Sequence, residues 1–107
     1  MNDYLFLIKS RSEESLSKAD MQGRMARYQA WRVEHSDVVL DGQRLEKVGA
    51  QINVDREVVT DGPFLEAKEL IAGFVHVQAE SLESAIALAQ SCPLLDHHDI
   101  EVRPIAG

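Results

Sequence analysis

Residues 4–8 read Tyr4-Leu5-Phe6-Leu7-Ile8, five consecutive apolar side chains close to the N-terminus. Successive side chains of a strand point to opposite faces, so an unbroken apolar run predicts a strand buried on both. A serine-rich polar stretch follows, and Ser17 stands where a helix cap is expected, three residues before Asp20. Met21, Met25, Tyr28 and Trp31 then recur at helical spacing, with Arg24, Arg27 and Arg32 falling mostly elsewhere. This predicts an amphipathic helix of about four turns with the Met/Tyr/Trp stripe as core, ending near His35 or Ser36.

The rest of the chain continues with strands and one more helix, without an internal repeat. Val38-Val39-Leu40 is a short extended piece ended by a turn at Asp41-Gly42. Ala50–Val54 and Glu57–Thr60 read as a small hairpin around Asp55-Arg56, followed by a turn at Asp61-Gly62-Pro63 and a charged stretch from Glu66 to Glu69. Leu70–Ala79 alternates, Val75, Val77 and Ala79 on one face and Phe74, His76 and Gln78 on the other. A second helix is capped by Ser81, carries Leu82, Ala85, Ile86 and Ala89 as its stripe, and ends at Cys92-Pro93. Asp99–Ile105 alternates again, Ile100 and Val102 opposing Glu101 and Arg103.

The element order is the βαββαβ split pattern, with an extra hairpin between the second and third principal strands. The predicted fold is α+β, a ferredoxin-like sandwich in one domain over residues 1–107, with two helices on one face of an antiparallel sheet. Two helices cannot cover both faces, so the all-apolar first strand points to burial against a second copy of the chain, a homodimer.

Composition narrows the partners. With 18 acidic and 11 basic residues the net charge is −7, which disfavours nucleic acid and anionic membranes, since both demand a basic surface. Cys92 is the only cysteine, which leaves no internal disulfide and no multi-cysteine zinc site. The Tyr4–Ile8 run is too short for a membrane span and lacks the basic flank of a signal peptide, so the expected location is cytoplasmic.

One segment is more specific than a fold pattern. Val59-Thr60-Asp61-Gly62-Pro63-Phe64, continuing Leu65-Glu66-Ala67-Lys68-Glu69-Leu70-Ile71-Ala72-Gly73-Phe74, closely resembles the signature of the DGPF-domain branch of the YCII-related family. Ile100-Glu101-Val102-Arg103-Pro104-Ile105 is similar to that family's closing strand, and the resemblance extends from Tyr4 to Ile105. It implies a dimeric α/β barrel with a pocket beside the sheet, chemistry on small organic molecules without a cofactor in some relatives, and genes beside alternative sigma factors in others. The histidine–aspartate pair proposed as catalytic in the YCII branch has its histidine on the first helix. Here residues 21–33 contain no histidine, so that pair does not carry over.

The chemical candidates follow. Asp61 is either a general base at a pocket rim or the anchor of a turn, and Phe64 either walls a pocket or anchors its loop. His76 is placed mid-strand toward the dimer side, where an imidazole titrating near neutrality could shuttle a proton. Arg103 could grip a ligand carboxylate, or pair with Glu101, Glu66 and Lys68 in a charge network; Glu66 and Lys68 otherwise form a solvated connector. His97-His98-Asp99 has the residue types of a metal site, but neighbours on a strand diverge, and neither metal nor cofactor is expected. Cys92 reads as buried packing.

Two functions remain open at this level. One is a cofactor-independent acid–base enzyme on a small organic molecule, with a pocket beside the dimer-facing sheet, Asp61 or His76 moving protons, and Phe64, Glu66, Lys68 and Arg103 holding substrate. The other is a non-catalytic ligand-binding or regulatory module linked to transcription.

Overall fold

A computed structural model describes residues 1–10, 17–46, 48–63 and 71–107, with the backbone alone for 60–63. The elements are β1 (Asn2–Ser10), α1 (Lys18–Glu34), β2 (Val39–Arg44), β3 (Val48–Ile52), β4 (Val58–Pro63), β5 (Ile71–Ala79), α2 (Leu82–Gln90) and β6 (His98–Pro104), with a 3₁₀ turn at Pro93–Asp96. Both helices begin as their sequences dictate. Ser17 Oγ accepts the Asp20 N–H at 3.1 Å and Ser81 Oγ accepts the Ser84 N–H at 3.1 Å, each satisfying an otherwise orphan donor.

The principal sheet has the order β2-β5-β1-β6, antiparallel throughout, and β3 and β4 form a separate two-stranded sheet. With the hairpin set aside this is the ferredoxin-like arrangement read from the sequence. β1 and β5 bury every second residue: Tyr4, Phe6 and Ile8 from one, Val75, Val77 and Ala79 from the other. These pack with Tyr28 and Trp31 of α1, Ala85 and Ala89 of α2, and Cys92 in a single core. Each such large apolar side chain contributes about 1.5–3 kcal/mol by leaving water. Trp31 Nε1 donates to Ser91 Oγ at 2.9 Å, tying α1 to the end of α2.

Within the chain β1 buries Tyr4, Phe6 and Ile8 and leaves Leu5 and Leu7 half-buried on the face expected to meet a second copy. Several other expectations need correction. Asp41-Gly42 is not a turn but lies inside β2, with a bulge between Val39 and Asp41. Asp61-Gly62-Pro63 is likewise strand, paired as Ala50↔Asp61, Gly49↔Gly62 and Val48↔Pro63. A strand of a two-stranded sheet always has a free edge, which tolerates proline's missing N–H. The true hairpin turn is longer than Asp55-Arg56. Asn53 Oδ1 accepts the N–H groups of Asp55 (2.9 Å) and Glu57 (3.0 Å), and Arg56 takes φ 69°. Finally, the stripes overreach: Met25, Leu82 and Ile86 are exposed.

Candidate functional site

Two arrays of chemistry-bearing side chains emerge, one on each face of the principal sheet. On the helix-covered face, a cavity of about 580 Å³ opens between α1 and one end of the sheet. Side-chain size along the strands accounts for it. The covered residues of β1 run Tyr4, Phe6, Ile8, Ser10, and those of β5 run Ala79, Val77, Val75, Gly73. Register sets Ile8 beside Gly73 and Ser10 beside His98, so Ser10 and Gly73 fall at the same end of the sheet. Phe6 and Val77 are fully buried beneath the helix layer, while Ser10 and Gly73 line the cavity.

Gly42 shapes the cavity further. A Cβ at this position would lie 2.7 Å from the Tyr28 hydroxyl oxygen and 3.1 Å from the Phe74 carbonyl oxygen, so only glycine lets the phenol reach the sheet. A Cβ at Gly73 would lie 2.6 Å from the Gln43 carbonyl oxygen, which forces glycine there for close strand approach.

The helix side of the cavity comes from Met21, Arg24, Met25, Tyr28 and Arg32. These positions are three or four apart and share one face, so Arg24 and Arg32 belong to the same face as the methionines rather than the opposite one. Arg44 from β2, and His97 and His98 from the junction into β6, complete the polar lining. The two histidines serve one cavity because His97 closes the 3₁₀ turn and His98 opens the strand, so the chain bends between them. Burial raises the Tyr28 pKa, partly opposed by Arg32, whose guanidinium carbon lies 6.0 Å from the ring centre. The phenol is thereby held neutral, as a hydrogen-bond donor.

The opposite face carries the other array. His76 Nε2 lies 3.1 Å from Asp3 Oδ1, and Gln78 Nε2 donates to the same oxygen at 3.3 Å. Farther along, Lys9 Nζ donates to Glu101 Oε1 at 2.8 Å and Arg103 Nη1 lies 3.7 Å from Glu101 Oε2. The Lys9 hydrogen bond and charge hold the Glu101 carboxyl below its usual range. Lys9, Glu101 and Arg103 thus form a charge cluster on this face; Glu66 and Lys68, the other partners expected for it, lie outside the described residues.

The predicted site residues therefore divide. His76 and Arg103 are on the open face and do not line the cavity. Asp61 belongs to the separate hairpin sheet and its side chain is outside the described atoms, as are Phe64, Glu66 and Lys68 entirely. Among the described residues, the cavity of the single chain is beneath α1, on the face opposite the one expected to meet a second copy. Cys92 is buried as expected, its thiol pushed up to about 11 by burial. Asp3, Tyr28 and the arginines were missed; the 3–4 spacing of Arg24 and Arg32 with Met21 and Tyr28 was the available signal.

Comparison with known proteins assigns the chain. The YCII-related domain matches residues 4–106, essentially its whole length. The chain belongs to the YCII-related family. Comparison with curated protein sequences finds no match. Among solved structures, this YCII-related chain is similar to 5-chloro-2-hydroxyhydroquinone dehydrochlorinase (TftG) from Burkholderia phenoliruptrix AC1100, in complex with 2,5-dihydroxybenzoquinone. The TM-score is 0.56 at 15% identity, over 97% of this chain and 93% of that one. At that identity the likeness establishes a shared fold.

Proposed function

We propose that the protein is a cofactor-independent acid–base enzyme acting on a small organic molecule held between α1 and the sheet. The observation that carries this reading is the cavity itself. It is within the usual size range of small-molecule sites, roughly 300–1,000 Å³, and joins apolar walls to a few convergent polar groups. Two imidazoles and a neutral phenol suffice for proton transfer: His97 or His98 takes a proton from the substrate, and Tyr28 hydrogen-bonds the oxygen where charge accumulates. Isomerisation and elimination need no more than this. The structural neighbour, a dehydrochlorinase by name, is compatible with that class.

Asp61-Gly62-Pro63-Phe64 supports assignment to the DGPF branch of the family. The half-buried Leu5 and Leu7 on the open face support a homodimer formed there. A second reading of the proton carrier has one observation in its favour, the 3.1 Å contact between His76 and Asp3, which fixes the imidazole as an acid–base dyad requires.

The two readings separate in a solvent-exchange assay. Enolisable keto acids and hydroxyquinones are incubated with the protein in D₂O and followed by proton NMR. Protein-dependent exchange or elimination is expected, lost in the double variant His97→Asn/His98→Asn or in Tyr28→Phe and retained in His76→Asn. Loss in His76→Asn alone transfers the chemistry to the open face, and absence of any turnover across the panel contradicts the enzyme reading.

A further inference from the structure

The cavity's charge is the reverse of the molecule's. The chain carries −7 overall, yet the described lining includes Arg24, Arg32 and Arg44 against one carboxylate, Glu46. Two of the arginines come from α1, at positions eight apart, two helical repeats on a single face; the third comes from β2, in register with Gly73 on the cavity floor. Arginines that line one apolar space from two elements supply the donors of an anion site, since each offers a planar fork matched to a carboxylate or a delocalised oxyanion. Around them the walls include Met21, Met25, Ile8 and Leu94, with Tyr28 and Phe74 as aromatic members. Methionine adapts to planar ligands and makes favourable contacts with aromatic edges.

We infer that the cavity selects a compact organic anion, an apolar body bearing a carboxylate or an ionised enol or phenol, with Arg32 and Arg44 holding the charge. This rests on the proposed function and names its substrate class. Net negative charge elsewhere on the molecule repels such ligands from the rest of the surface, so the arginines give the cavity its selectivity as well as its affinity. The body lies between the methionines, and the anionic group is directed toward the guanidinium groups.

The test uses benzoate and benzamide, nearly equal in shape and different in charge, measured by isothermal titration calorimetry at low and moderate salt. Benzoate is expected to bind at least tenfold tighter than benzamide, and the advantage to shrink as salt rises. Arg32→Gln and Arg44→Gln are each expected to weaken benzoate about tenfold and leave benzamide unchanged, with Arg32→Lys recovering part of the loss. Thermal melts of the variants establish that they remain folded. Equal affinity for the two probes, or benzoate binding indifferent to both substitutions, overturns the anion assignment while leaving a small-molecule cavity in place. Binding of neither probe overturns the assignment and removes the support for the cavity reading with it.

Discussion

The two faces of the four-stranded sheet are made by the same strands, residue by residue in alternation, and they do opposite things with polar groups. On the covered face, Tyr4, Phe6 and Val77 make a dry core that gives way, toward Ser10 and Gly73, to a concave space lined by arginines and histidines. On the open face, polar groups pair with one another across strands: His76 and Gln78 with Asp3, Lys9 and Arg103 with Glu101. Reactive residue types occur on both. What separates them is setting: the open-face groups pair across strands on an exposed surface, while the arginines and histidines of the covered face line a hollow of small-molecule size.

This contrast can be broken or sharpened by mutation, and the largest effect is expected at its dry end. Phe6→Ala removes a fully buried ring and should cost about 3–5 kcal/mol in urea unfolding. Leu7→Ala, one residue along on the open face, should cost well under half of that at low protein concentration. A larger loss that grows with protein concentration would reveal a second copy covering this face. Gly73→Ala sets a Cβ against the Gln43 carbonyl at 2.6 Å and should cost on the order of 1–3 kcal/mol by strain rather than lost burial.

An alkaline transition belongs to the covered face too. A thiol raised from 9.0 to about 11 is favoured in its neutral form by folding. Its contribution is complete below the ordinary thiol value and is lost as pH rises toward 11, in total on the order of 2 kcal/mol. Cys92→Ala should flatten this part of a stability–pH curve, leaving the similarly directed effect of Tyr28 at higher pH. The smallest effect is expected on the open face at Glu101. Its lowered pKa means that the Lys9 pair stabilises above the ordinary carboxylate range and fades as pH falls through it. Glu101→Gln should barely change the melting temperature at neutral pH, as is usual for exposed ion pairs.

Much of the covered face was legible in the sequence. Period-2 alternation in 71–79 gave β5 and the residues of each face, and Ser17 and Ser81 marked both helix starts because capping is a local interaction. The same local logic failed twice on one dipeptide. Asp-Gly is a turn former, yet Asp41-Gly42 and Asp61-Gly62 both lie within strands. At Gly42 the reason is tertiary: the Tyr28 hydroxyl needs the space that a Cβ would fill. The cavity was missed for a related reason. A Met/Tyr/Trp stripe at helical spacing reads as core, and no local pattern shows that Met21 and Met25 line a cavity with Ser10 and Gly73. The Asp3–His76 contact spans 73 positions and depends on strand register, which no local pattern contains.

The central claim is that ligand chemistry resides under α1. The direct measurement is a ¹⁵N-labelled chemical-shift map of the wild-type protein during titration with benzoate. The account predicts shifts concentrated on Gly42, Gly73, Tyr28 and His98, with Asp3, His76, Gln78 and Arg103 unmoved. Shifts concentrated on that second set would contradict it and transfer the site to the open face of the sheet.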